Sequence, residues 1–374
     1  MIASFRAHEF RNYDYLLMAW ALGLVAVGLA ILYSASTSET NSPTATLTDA
    51  IGRQILFLVL GVGASLGLAR LDYRVLGNYW LVLYSMAVFG LIAVLIIGVE
   101  IAGATRWISL PGGFLLQPSE FAKVLGTVAL AKYLSQREAR LHEPQVFLGS
   151  LAIIAPLMAL VFVEPDLGTT IVFAVIWLAM LIMAGASSRH LLIMGGVILA
   201  LIPFALIIAV SDYQEERLAT FLDPNKDRFG AGYNVIQAEI SVGSGGLMGQ
   251  GFLNGSQSQL GFLQVRSSDF IFSVFGEEFG FVGSLFLLTL FGAFILRALR
   301  VAQEARDPFG RLLATGFAIM ILGQVFINIG VNIRLLPVTG IPLPFISQGG
   351  SSLISIFMGI GVLQSIIMRQ RQSY

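Results

Sequence analysis

The side chains best equipped for chemistry gather in one stretch, Ser211 to Asp269, the longest polar interval in the chain. It holds Arg217, Gln257, Gln259 and Arg266 and closes on Asp269, at the lip of an apolar run. A lone carboxylate beside cations suits a general base acting on a hydroxyl while Arg or Lys neutralises an anionic leaving group. The same set suits a binding site for an anionic lipid head group. Asp269 also reads as an ordinary acid in the first turn of a helix capped by Ser267 or Ser268. Two further acids, Glu277 and Glu278, lie two turns deeper, where only a polar interior tolerates them.

Two segments elsewhere carry matching groups. Glu120 and Lys123 are three residues apart and share one face of a helix that Pro118 begins. They read either as a neutralised structural pair or as the lining of a polar cavity that presents Lys123 to an anion. Asp166, in the hinge Glu164-Pro165-Asp166-Leu167-Gly168-Thr169, reads as a helix cap or as a residue facing the same site. The glycine run Gly243–Gly251 lacks the Gly-Lys-Ser/Thr ending of a phosphate loop and follows no predicted strand. Its glycines are expected to give backbone freedom to a loop packed on the membrane surface.

These groups need elements to hold them, and composition says which kind. Hydrophobic residues make up 56% of the 374 and charged residues 12%, about half the roughly 25% of a soluble domain. The chain is therefore expected to be an all-α polytopic membrane protein, one integral membrane domain over residues 1–374. Ten spans are predicted: Tyr15–Tyr33, Ile55–Ala69, Trp80–Ile97, Pro118–Leu134, Phe147–Val163, Leu167–Ala184, Leu191–Val210, Phe270–Leu296, Leu312–Val331 and Ser352–Met368. Continuous rather than alternating apolar runs favour helices over a barrel. No small-residue cleavage site follows the first apolar run, so it is expected to be a retained span.

Fourteen of the 22 Lys and Arg residues fall on one side if the N-terminus is inside, among them Arg70, Arg74, Lys132, Arg297, Arg300 and Arg311. Both termini are then cytoplasmic, and the large loop 211–269, between spans seven and eight, faces outward. Ser34–Asp49 is expected to be a plain outer loop. His8, His142 and His190 all lie on the inner side, which disfavours Ser–His catalysis and a histidine-held metal. The absence of cysteine removes disulfides, Cys-ligated zinc, iron–sulfur clusters and a thiol nucleophile. Zero net charge argues against a nucleic-acid partner. No clear repeat relates the two halves, which tilts the reading from carrier towards enzyme.

Several stretches carry a family signature: EFAKxxxxxxLAKYL, EPDLGT, RLATFLDPNKDRFGAGYNVIQAEISVGSGGLMGQGFLNGSQSQLGFL, SSDFIFSVFGEEFGFVG and VTGIPLPFISQGGSSL. Together they resemble the SEDS family of peptidoglycan glycosyltransferases, from about Arg11 to Met368, with GSQSQLGF and GIPLPF nearer the RodA-type than the FtsW-type branch. The resemblance implies polymerisation of lipid II into glycan strands at the outer leaflet of a bacterial inner membrane, releasing undecaprenyl pyrophosphate. It implies membrane lipids and a class B penicillin-binding protein as partners. On it, Asp269 falls on the catalytic position, Glu120 and Lys123 on the family's polar pair, Arg217 on its outer-loop arginine and Asp166 on its hinge acid.

Three positions depart from the family pattern. Gln264-Val265 replaces a common Pro-Glu before Arg266, Gln348 stands where an aromatic precedes the glycines, and Arg334 where a small glycine follows Val-Asn. The expected mechanism is inverting transfer. Asp269 takes a proton from the acceptor's 4-hydroxyl, while Lys123, Arg217 and Arg266 neutralise the pyrophosphate and Gln257 and Gln259 contribute to the substrate site. No cofactor is required by this reading, and a divalent cation held by the phosphates is an alternative source of charge. Burial raises the Asp269 pKa and Arg266 lowers it, with the balance open. A flippase for the same precursor and a non-enzymatic scaffold for cell-wall enzymes are the alternatives.

Overall fold

Apolar runs of this length satisfy their backbone groups in a bilayer only as helices or closed barrels, and here they form helices. The computed structural model describes residues 12–37, 43–101, 103–196, 212–228, 230–263 and 265–370. In chain order these give α1 (Tyr15–Thr37), α2 (Pro43–Arg70), the short α3 (Tyr73–Asn78) and α4 (Trp80–Ile97). A three-stranded antiparallel sheet follows, β1 (Val99–Ile101), β2 (Ala104–Leu110) and β3 (Phe114–Leu116), with Ile101 opposite Ala104 and Ile108 opposite Leu116. Next come α5 (Pro118–Ser135), α6 (Pro144–Val163), α7 (Leu167–Ala184) and α8, described over residues 188–196. The chain ends with α9 (Asp212–Leu222), α10 (Ala231–Ser244), α11 (Ser256–Gln259), α12 (Ile271–Glu304), α13 (Pro308–Asn332) and α14 (Gly350–Gln370).

Eight of the described helices are long and apolar enough to cross a membrane. The fourth predicted span, α5, is not among them, because Glu120, Lys123 and Lys132 dilute its 18 residues; its residues are mostly buried among the other helices instead. The seventh predicted span, Leu191–Val210, falls largely outside the described residues. Innermost are α13 and α14, almost wholly buried, whereas α2 and α4 turn most of their surface outward. The loop between α13 and α14 is pinned by Phe345, whose ring meets Phe294 of α12 at 5.1 Å and Phe357 of α14 at 6.2 Å, both edge-on.

Three expectations need correction. The stretch Ser34–Asp49 is not a plain loop: α1 runs to Thr37 and α2 begins at Pro43, where proline suits the first helical turn. A β-sheet occupies the connection before α5; its short, weakly alternating strands carry little period-two signal. Neither Ser267 nor Ser268 caps the eighth span. That helix starts at Ile271 with Phe270 at its cap position and no side-chain cap, so Asp269 precedes the helix rather than opening it.

The glycine run packs against a break inside α12. At Gly280 the backbone turns to φ 64°, ψ −161°, a conformation open essentially only to glycine. A broken helix leaves carbonyls and amides without intrahelical partners, and here the glycine run supplies them. Gln250 N donates to Glu277 O at 2.9 Å and Gly251 N to Glu278 O at 3.0 Å, while Phe281 N and Val282 N donate to Gly246 O and Leu247 O. Such backbone-to-backbone contact leaves no room for side chains. The two acids beside the break are committed as well. Glu277 accepts from Gln257 N at 2.7 Å and Ser258 N at 3.1 Å, and Glu278 accepts from Ser34 Oγ.

A methyl group at Gly280 would both require an excluded backbone conformation and run into the Gly249 amide. Gly280→Ala is expected to destabilise the protein by at least about 2 kcal/mol. Gly292→Ala, in the same helix with open space around it, should be neutral or gain up to about 1 kcal/mol. Thermal unfolding of the two variants in one detergent checks the contrast; equal midpoints would rule out the break as a stability element.

Candidate functional site

Asp269 lines a cavity of about 390 Å³ at the loop-bearing end of the helices. Its walls come from six segments: α2, the β-sheet, α9, the stretch before α12, the loop joining α13 to α14, and the first turn of α14. The residues just before α12 are held by their carbonyls, one after another. Ser267 O accepts from Gln348 N at 2.9 Å, and Ser268 O from Ser347 Oγ at 2.6 Å. Asp269 O accepts from both Asn328 Nδ2 at 3.1 Å and Asn332 Nδ2 at 2.9 Å. Asn332 Oδ1 in turn accepts from Ser273 N and Ser273 Oγ, and Asn328 Nδ2 also reaches Ile341 O at 2.9 Å. Main-chain bonds thus fix the residue while its carboxyl stays available to the cavity.

Two guanidinium groups flank that carboxyl. Arg106, from β2, donates to the carbonyls of Glu164 and Pro165 in the hinge between α6 and α7. Arg217, from α9, donates to Val338 O at 3.1 Å. Both converge on Gly340, where a Cβ would stand 3.0 Å from the Arg106 guanidinium and 3.7 Å from that of Arg217. Gly340 has φ 78°, so glycine serves both the turn and the clearance. Burial pushes the Asp269 carboxyl above its ordinary range; Arg217 and then Arg106 oppose this, a Ser268 hydrogen bond opposes it further, and the negative charge of Asp166 adds to the rise. Desolvation wins, and the cations acting on Asp269 are Arg217 and Arg106 rather than Arg266.

The remaining sequence candidates are placed as follows. Asp166 caps α7, accepting from Thr169 N at 3.0 Å and Thr169 Oγ1 at 2.9 Å, and its charge is felt at Asp269. Glu120 and Lys123 form an ion pair at 2.7 Å, each 1% exposed, with Ser355 Oγ 3.4 Å from the carboxylate. They do not line the cavity. Arg266 lies outside it too, donating to Ala35 O at 2.6 Å and Ser258 O at 2.9 Å, which ties the end of α1 to α11. Gln257 offers its backbone amide to Glu277, and the Gln259 amide reaches Ser34 O and Ser34 Oγ. These glutamines brace the loop.

Sequence reasoning missed Arg106, Asn328 and Asn332. The asparagines had a signal: Gln324, Asn328 and Asn332 recur every fourth residue inside an apolar run and so share one helix face. Arg106 had almost none, a single cation in a short strand. Of the family departures, Arg334 adopts φ 57° and pairs with Glu239 of α10 at 3.2 Å, joining the end of α13 to the loop. Gln348 stands exposed on the cavity wall. Val265 also lines the cavity, so no acid enters the site from that position.

A further buried acid lies next to Arg106. Glu164 is 0% exposed and, among the described residues, neither carboxyl oxygen has a hydrogen-bond partner. Burial pushes its pKa up to about 8; the neighbouring Asp166 adds to this and Arg106 works against it.

Comparison with known proteins is consistent along the whole chain. The family pattern described as "Cell cycle protein", covering FtsW, RodA and SpoVE, matches residues 14–372. Peptidoglycan glycosyltransferase MrdB of Escherichia coli K12 is 36% identical over 345 residues, covering 92% of this chain and 90% of that protein. Stage V sporulation protein E of Bacillus subtilis is 36% identical over 356 residues, covering 94% and 96%. Among solved structures, one from a study of a peptidoglycan synthase complex that coordinates polymerization and crosslinking superposes with a TM-score of 0.81 at 31% identity, covering 96% of this chain and 99% of that one. The crystal structure of the rod shape determining protein RodA of Thermus thermophilus gives 0.69 at 30% identity, covering 97% and 98%.

The state of Glu164 sets a pH dependence. The folded protein keeps this proton up to about pH 8, whereas an unhindered carboxyl loses it near 4.5. Between these values the folded state binds more protons, so the stabilisation present below pH 4.5 is lost as pH rises through 8. Glu164→Gln, which keeps the neutral shape, should flatten the decline of unfolding temperature between pH 5 and 8, by an amount of order a few kcal/mol. Parallel curves for the two proteins across that range would show that the carboxyl is already ionised when folded.

Proposed function

The chain belongs to the SEDS family of RodA, FtsW and SpoVE proteins and is a peptidoglycan glycosyltransferase; we propose that it polymerises lipid II in the cavity that Asp269 lines. The convergence of Arg106 and Arg217 around Gly340, beside a carboxyl held by its own main chain, carries this reading. Two fixed guanidinium groups match a pyrophosphate, whose negative charge grows as it leaves. The carboxylate of Asp269 takes the proton of the acceptor's 4-hydroxyl. That oxygen bonds to the anomeric carbon of the donor sugar from the face opposite the leaving group, the bond from that carbon to the pyrophosphate oxygen breaks, and undecaprenyl pyrophosphate departs. Configuration inverts, and each step conserves charge with the proton left on Asp269.

A raised pKa suits this role, since a general base works best when its pKa approaches the working pH. A divalent cation, where one takes part, arrives on the pyrophosphate; among the described residues no group of three His, Asp or Glu side chains stands together to hold one. The buried Glu120–Lys123 pair supports the helix face behind the cavity and meets substrate only if the site opens toward α5. The protein lies in the inner membrane with both termini cytoplasmic and the cavity facing outward. The Lys and Arg residues at the opposite end of the helices, such as Arg74, Lys132, Arg297 and Arg311, support this orientation. A class B penicillin-binding protein is the partner that cross-links the product, a reading supported by the solved neighbour from a complex coupling polymerization to crosslinking.

Purified protein with its partner and labelled lipid II tests the assignment. Asp269→Asn should lose at least about a hundredfold in polymer formation while unfolding at the wild-type temperature. Activity should fall as pH drops through the Asp269 pKa. Removing either cation raises that pKa further, so Arg217→Gln should move the acid limb to higher pH as well as weaken binding. Full polymerisation by Asp269→Asn would dismiss the mechanism, and translocation of lipid II by a protein that never polymerises it would favour a flippase.

A further inference from the structure

Part of the cavity lining has a different chemistry. Besides Asp269, Arg106 and Arg217, it includes the β2–β3 hairpin and the neighbouring turn of α2: Trp107, Phe114 and Arg53, with Gln117 and Gln348. Phe114 is held edge-on against Phe57 at 5.7 Å, and the Arg53 guanidinium lies 5.8 Å from its ring centre. The hairpin is anchored to α14, since Ser351 Oγ accepts from Gln117 N at 3.0 Å and lies 3.4 Å from Leu115 O. Trp107 is half-buried, and Gln348 is exposed toward the cavity. Among the described residues no hydrogen bond uses the Trp107 indole N–H or the side-chain amides of Gln117 and Gln348.

Unspent amides beside aromatic faces have a defined preference. A pyranose ring offers C–H groups to an aromatic face, and its hydroxyl and N-acetyl groups pair with amides that both donate and accept. A pyrophosphate, which only accepts hydrogen bonds, would leave the amide oxygens and the aromatic faces unused, and a polyprenyl chain would leave the amides unsatisfied. We infer that this hairpin wall is a saccharide subsite, in which Trp107 stacks on an N-acetylated sugar ring and Gln348 hydrogen-bonds its polar edge. The inference rests on the cavity being the place of glycosyl transfer and divides its lining by chemistry: pyrophosphate at Arg106 and Arg217, sugar ring at Trp107 and Gln348. Gln348 then distinguishes this chain at a position where the family pattern expects an aromatic ring.

The probe is the soluble N-acetylglucosamine–N-acetylmuramic acid disaccharide, with neither lipid nor phosphate. It is presented to the full-length protein in nanodiscs and read by saturation-transfer NMR at its N-acetyl methyl groups. Trp107→Ala and Gln348→Ala should each weaken binding about three- to tenfold, with Trp107→Phe restoring most of the loss in the first case, and inorganic pyrophosphate should not displace it. Unchanged binding in both Trp107→Ala and Gln348→Ala, at wild-type unfolding temperature, overturns the subsite, as does displacement by pyrophosphate. The readout needs no turnover. An Asp269→Asn protein that still polymerises would therefore refute the proposed reaction centre without deciding the subsite, which the titration decides by itself.

Discussion

Three consecutive backbone carbonyls, those of Ser267, Ser268 and Asp269, each accept a hydrogen bond from α13 or from the loop that follows it. The site depends on this arrangement. A carboxylate held through its own side-chain hydrogen bonds loses basicity to them. Here the main chain carries the position, and one hydrogen bond, from Ser268, acts on the carboxyl. The cost falls on α13, which must bury Asn328 and Asn332 inside an apolar helix, and both are satisfied by the carbonyls they hold.

Charge is arranged with similar economy. Arg106 and Arg217 both donate to main-chain carbonyls and line the cavity. Lys123 is paired with Glu120 and does not line the cavity. Glu164 adds a buried acid that holds its proton beside Arg106 over most of the physiological range. The net effect near Asp269 is positive charge toward the cavity and low hydration behind it, which favours an anionic leaving group and a base of raised pKa together.

Eight of the ten predicted spans were legible in the sequence because their apolar runs are continuous, and the position of Asp269 was legible as the end of the longest polar interval. Its neighbours were less so. Arg217, in the same interval, lines the cavity, but Arg266, three residues from Asp269, turns away to bind α1 and α11. Proximity along the chain says little about direction once the backbone leaves a regular helix. Arg106 and Trp107 sit in a strand of seven residues, too short for alternation to declare a face. The glycine run was recognised as backbone freedom, yet its purpose depended on a break in α12 that lies 31 residues further along the chain: the complement of Gly249 is Gly280, and neither names the other.

That break has a mechanical consequence. Residues 271–279 are joined to the glycine run, to α11 and through Asn332 to α13, while the longer part of α12 beyond Gly280 packs among the other spans. Asp269 is therefore tied to α13 and to the loop on one side of the break, and not through an unbroken helix to the rest of α12. The fit between the glycine run and Gly280 therefore sets the local path of residues 271–279, the segment that leads back to Asp269.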